Sequence, residues 1–204
     1  MSFSRNPVRN AAASLLAVLI LSAAAAAQSP AFSNVNIKNF GQMDERFYRG
    51  AQPKKLEDFQ ALKELGITTV IDLQAEPESE ERAWVESLGM RYVNIPMIAK
   101  KYPRPEWVAA FMKTVDDPST GKFFVHCAGG RHRTGSMGAV YRMEKYGWGF
   151  DQVYAEMKQF DFYTRWGHGD FKTFVEDYAK QSQARQVAPA ALATPAEAVF
   201  AGKN

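Results

Sequence analysis

The chain has 204 residues, 46% of them hydrophobic, with 25 Lys and Arg against 22 Asp and Glu. A net charge of +3 excludes the strongly basic surface of a general nucleic-acid binder. One cysteine excludes an internal disulfide framework and any site built from several thiolates.

In chain order, residues 1–27 read as a signal peptide. Arg5 and Arg9 form a positive start, Ala11 to Ala26 is an uncharged apolar stretch, and Ala25-Ala26-Ala27 places small residues before Gln28. The stretch is short and alanine-rich for a membrane span. The expectation is export to a bacterial periplasm, with no stable membrane anchor after cleavage. Without Arg5 and Arg9 the chain carries 23 basic and 22 acidic residues. Residues 28–43 read as an irregular lead-in.

Residues 44–182 are expected to form one domain, long enough to bury a single core. Leu56, Phe59, Leu62 and Leu65 recur at helical spacing across Lys55–Leu65, which Gly66 stops. Thr68–Leu73 reads as a strand, Glu78–Leu88 as a helix, Arg91–Pro96 as a strand and Glu106–Val115 as a helix. Lys122–His126 is a further apolar strand, and helices are expected at about 134–146, 151–159 and 169–182. Alternation of this kind predicts an α/β fold, a central and mostly parallel sheet flanked by helices. Residues 183–204, rich in Ala and Pro, read as a disordered tail.

The most informative segment is His126-Cys127-Ala128-Gly129-Gly130-Arg131-His132-Arg133-Thr134-Gly135. It lies where a strand gives way to a glycine-bearing loop and then to a helix N-terminus. Such a loop aims backbone N–H groups at one point, and the helix dipole adds positive potential there. Phosphate binds in that environment, and a thiol there ionises. Arg133 can clamp two phosphate oxygens, and Thr134 can hydrogen-bond the sulfur. A lone cysteine is ordinarily a small buried hydrophobe. Here Gly129, Gly130, Arg133 and Thr134 all fall in register with a nucleophilic role for Cys127. Ala128, Gly129, Gly130, Arg131, His132 and Arg133 are the expected phosphate cradle, and His126 is expected to orient the loop through hydrogen bonds to the loop backbone.

This segment resembles the signature loop of cysteine-dependent tyrosine and dual-specificity phosphatases: His-Cys, five residues, Arg, then Ser/Thr and Gly. The variant looks closest to the small atypical dual-specificity phosphatases of bacteria, fungi and plants. Phe47-Tyr48-Arg49-Gly50-Ala51-Gln52-Pro53 is similar to the opening segment of those proteins, and Gly66–Leu73 to their first core strand. The resemblance implies phosphomonoester hydrolysis through a phosphocysteine, with no cofactor and no metal. It also implies an Asp about thirty residues before the nucleophile, and here the pattern fails. Met97 to Glu106 contains no Asp, and Glu106 is its only carboxylate. Asp161, bracketed by Phe160 and Phe162, is the favoured substitute acid, since aromatic burial raises a carboxyl pKa. His132 and Glu106 are the alternatives.

Lys100, Lys101, Arg104, Arg131 and His132 are expected around the pocket mouth, which suits a phosphorylated protein or a small polyanion such as an inositol phosphate. The aromatics Phe160, Phe162, Tyr163, Trp166 and Phe171 read as core, and the three histidines as unclustered. A non-catalytic phosphate-binding module is the main rival reading. A sulfur-transfer or arsenate-reducing enzyme is another, and arsenate chemistry lacks its resolving thiol here.

Overall fold

The structure is a computed structural model, and it describes residues 32–78 and 80–192. Its five strands are β1 (Gly41–Gln42), β2 (Phe47–Ala51), β3 (Thr69–Gln74), β4 (Arg91–Met97) and β5 (Phe123–Cys127). The helices are α1 (Leu56–Glu64), α2 (Glu81–Ser87), α3 (Pro105–Asp116), α4 (Arg133–Tyr146), α5 (Phe150–Gln159) and α6 (Gly169–Leu192). The strand order is β1-β2-β5-β3-β4, and every pairing is parallel except β1 with β2. The expected α/β architecture is therefore present, with boundaries within a few residues for most elements.

The sheet sorts its side chains by the two-residue period of a strand. Phe47, Ile71, Phe123 and Val125 face a core shared with α3, α4, α5 and α6. Tyr48, Val70 and Phe124 face the opposite way, toward α1 and α2. The central strand β5 is buried along its whole length. Parity places Cys127 on the α4 side and His126 on the α2 side. Helix α4 is buried from Thr134 to Met143, so its N-terminus is held rigidly beyond the end of β5.

Three segments depart from the sequence expectation. Strand β2 was not legible as a strand, because it is buried on both faces and contains Arg49 and Gly50, so neither alternation nor an apolar run marks it. The lead-in is not loose throughout: Val35 and Ile37 are buried against the α1 side of the sheet, and Gly41–Gln42 adds a strand. The last helix continues past Ser182 to Leu192, into the segment read as disordered. Ala184, Arg185 and Gln186 are good helix formers, and Arg185 is ion-paired to Glu144 of α4. The proposed signal peptide and residues 193–204 lie outside the described residues.

Candidate active site

Residues 128–132 link the end of β5 to the start of α4. Gly130 has φ +67°, and a Cβ there would stand 2.4 Å from the Gly50 carbonyl carbon. Only glycine satisfies both the dihedral and the contact. The loop carbonyls are tied on the outside: Asn39 Nδ2 donates to Gly129 O at 2.9 Å, and Arg49 Nη2 donates to Gly130 O at 2.7 Å. The N–H groups of Gly129 and Thr134 remain to point at the sulfur.

Cys127 is 4% exposed, at the base of a cavity of about 190 Å³. Burial by itself pushes the thiol up. Arg133, the Thr134 hydroxyl and the N–H groups of Thr134 and Gly129 outweigh it and bring the pKa below that of an ordinary cysteine. The Thr134 hydroxyl is buried and has no other hydrogen-bond partner. Arg133 Nη1 donates to Leu73 O at 3.3 Å and to Met97 O at 3.2 Å. The ends of β3 and β4 thus fix the guanidinium at the cavity that Cys127 also lines.

Ala128, Gly129, Arg131, His132 and Arg133 all line this cavity, while Gly130 is buried behind it. The opposite wall is Lys100, Tyr163, His168 and Phe171. Of the expected basic ring, Lys100, Arg131 and His132 reach the cavity, and Lys101 and Arg104 do not. Nor are the histidines dispersed: the rings of His132 and His168 lie 3.7 Å apart, brought together by the fold of the α5–α6 connection. His132 Nε2 is 2.9 Å from Tyr163 O, so that nitrogen carries the proton and donates it. Burial first, and then His168, pushes His132 down to about 4.

Asp161 is placed differently from expectation. Its side chain is 65% exposed, it pairs with Arg131 at 3.4 Å, and it lines a neighbouring cavity with Lys158, Arg165 and Trp166. Phe162 turns into the core, so the aromatic bracket does not bury the carboxylate. Trp166 is 67% exposed and is not core. Glu106 pairs with Arg104 in the first turn of α3, away from the cavity. Among the described residues, no carboxylate lines the Cys127 cavity.

His126 also differs from expectation. Its ring makes no hydrogen bond to the loop backbone among the described residues; Nε2 lies 2.6 Å from Glu81 Oε1 and Nδ1 3.8 Å from Asp72 Oδ1. All three side chains are buried. Burial opposes a charge on His126, but Glu81, Asp72 and Cys127 together raise its pKa. These are the three residues whose ligand atoms cluster tightly enough to suggest a metal. Donor atoms at ~2.0–2.1 Å from a shared ion stand about 3 Å apart, and a 2.6 Å contact is instead that of an ion pair.

Arg49, Asn39 and His168 are the site residues that sequence reading missed. The signal for Arg49 was its place in the Phe47–Pro53 segment that resembles the family, which gave it no role.

The chain is similar to known proteins in sequence and fold. Residues 43–200 match the family described as PTP-SAK, Swiss Army Knife protein, DSP-PTPase phosphatase domain. The dual specificity protein phosphatase TpbA of Pseudomonas aeruginosa is 28% identical over 148 residues, which are 72% of this chain and 63% of TpbA. The catalytic core of the PP-IP phosphatase SIW14 from S. cerevisiae, solved with citrate, superposes with a TM-score of 0.64 at 22% identity, covering 78% of this chain and 96% of that one. A P. aeruginosa TpbA structure in complex with pTyr superposes with a TM-score of 0.61 at 23% identity, covering 78% and 99%. The family match takes in β2 to β5, the loop around Cys127 and the helices behind it, and the chain belongs to the PTP-SAK family of DSP-PTPase phosphatase domains.

Proposed function

We propose that this chain hydrolyses phosphomonoesters through a phosphocysteine intermediate. The observation that carries the reading is a buried cysteine whose thiol is pulled toward ionisation at the base of a cavity it shares with a fixed arginine. Cys127 Sγ attacks phosphorus, the bond to the leaving oxygen breaks, and that oxygen takes a proton. Arg133 and the loop N–H groups hold the non-bridging oxygens as their charge grows. Thr134 hydrogen-bonds the sulfur, easing its departure when water attacks phosphorus and the S–P bond breaks. Inorganic phosphate leaves and the thiolate is restored.

The proton donor is assigned to the cavity wall. Asp161 faces solvent and Arg131, and His132 is committed to Tyr163 O, so His168 is the remaining imidazole in the wall to serve the leaving oxygen. Burial lowers the pKa of His168, with Lys100 adding to the effect, which places its acid form at low pH. The substrate class is a phosphorylated protein or a small polyanionic phosphoester. Lys100 and Arg131 at the cavity support this, as do the pTyr complex of TpbA and the PP-IP phosphatase assignment of SIW14. Export to the periplasm is part of the proposal and rests on the residue pattern of 1–27.

The rival reading, a module that binds phosphate without turnover, is favoured by the lack of a carboxylate among the described residues that line the cavity. Phosphate release from a panel of phosphotyrosine peptides and inositol polyphosphates, with wild type and Cys127→Ser, decides between them. Release by wild type alone supports the enzyme. No release by either, with phosphate binding intact, supports the module.

A further inference from the structure

Arg49 is a buried cation with no direct ion-pair partner among the described residues. It is 1% exposed, its Nε has no hydrogen-bond partner, and no carboxylate among the described residues forms an ion pair with it. Glu156, the nearest candidate, is engaged on both oxygens by Arg142, at 2.7 Å from Nη2. The guanidinium is enclosed by the Phe160 ring, 4.0 Å away, and by the bare backbone of α4. A Cβ at Gly135 or Gly138 would stand 3.8 or 3.6 Å from its terminal nitrogens. Burying a charge away from water without a direct ion-pair partner is costly. The chain accepts that cost at one place only along β2, and the side chain's one hydrogen bond among the described residues goes to the phosphate loop, at Gly130 O.

We propose that Arg49 is a positioning residue: it fixes the Gly130 carbonyl outward and sets a buried positive charge beneath the loop, which the Cys127 thiolate and the transferring phosphoryl group balance. This rests on the reading of Cys127 as the nucleophile. Holding the carbonyl outward keeps the adjoining peptides in the orientation that aims N–H groups into the cavity. The charge acts through a dry interior, where it is screened far less than a charge at the mouth. Burial pulls the Arg49 pKa down to about 10, while the charge of Glu156 and then that of Cys127 favour its charged form. Other groups also bear on the sulfur: Arg133 and Thr134 from α4, His126 from β5, and Lys100, Arg131, His132 and His168 along the cavity. Arg49 is the contribution from β2.

The test is the pH dependence of Cys127 alkylation by iodoacetamide in the full chain, a readout that does not require turnover. Arg49→Met should raise the midpoint by about one unit or more and lower kcat/KM at least about tenfold. Arg49→Lys keeps a charge and one donor and should restore most of the midpoint. Phe160 is half-buried, so Phe160→Ala should fold. It lets water onto the guanidinium and should raise the midpoint in the same direction by less. If Arg49→Met folds and leaves the midpoint at the wild-type value, the proposal is overturned. If Arg49→Met does not fold, an unchanged midpoint in Phe160→Ala overturns it instead. A wild-type midpoint no lower than that of an ordinary thiol would sink the nucleophile reading itself, a distinct result.

Discussion

Gly130 and Gly50 touch backbone to backbone, the one in the phosphate loop and the other in β2. A Cβ at Gly130 would lie 2.4 Å from the Gly50 carbonyl carbon, 2.5 Å from its oxygen and 2.6 Å from Ala51 N. No side-chain motion relieves contacts with backbone. Gly130→Ala must therefore displace the loop, and φ +67° adds strain. The expected loss in kcat/KM is about a hundredfold or more, ~2.7 kcal/mol. Weaker inhibition by inorganic phosphate should accompany it. Activity within tenfold of wild type would show that the loop tolerates the shift.

Cys127→Ser should remove turnover and keep phosphate binding. The serine hydroxyl is un-ionised at neutral pH, and the cradle of N–H groups and Arg133 is untouched. Residual phosphate release above ~1% of wild type contradicts a covalent route, because losing the nucleophile should cost at least about a hundredfold.

Arg133→Lys should be nearly as damaging as Arg133→Ala. Two strand-end carbonyls hold the guanidinium through one nitrogen, leaving the rest of the planar fork for phosphate. A lysine ammonium is a point charge without that fork. Steady-state kinetics on an aryl phosphate separates the cases, and recovery of most activity with Lys argues against bidentate recognition.

Leaving-group dependence locates the proton donor. His168→Gln should slow an alkyl phosphate about tenfold or more beyond its effect on p-nitrophenyl phosphate, whose leaving group needs little protonation. Asp161→Asn should affect both substrates equally and little, because the carboxylate is exposed and paired with Arg131. Since His168 titrates below the usual histidine value, alkyl phosphate turnover in wild type should fall as pH rises through that range. The opposite ranking of the two variants would return the role to Asp161.

The buried pair of His126 and Glu81 sets a pH dependence of stability. His126 holds its proton above the usual 6.5, so the folded chain binds that proton more tightly than the unfolded chain. The resulting stability is fully present below the unfolded value and is lost as pH rises through the raised one. Glu81→Gln should destabilise the chain by about 3–5 kcal/mol, the range for breaking a buried ion pair. The Tm gap to wild type should be larger near about pH 6 than near about pH 9. Thermal unfolding of both chains at the two pH values measures it, and a gap that does not vary with pH removes His126 as the titrating group.

The sequence by itself determined what is local. The apolar strand before Cys127, the glycines after it, and Arg133 six residues on all lie within one short segment, so their spacing alone placed nucleophile, loop and helix N-terminus together. Helical and strand periods likewise located most elements, because one face of each must be buried. Tertiary structure decided everything that reaches the loop from afar. Asn39 and Arg49 lie 90 and 81 residues from the carbonyls they hold, and β2 shows no period because both its faces are covered. His168 packs against His132 from beyond the whole of α4 and α5, while Asp161, nearer in sequence, is turned out to solvent against Arg131. Neighbouring residues announce a turn and a dipole, but burial and charge pairing depend on which elements pack together, and those set which group can act as an acid and which cation sits beneath the thiolate.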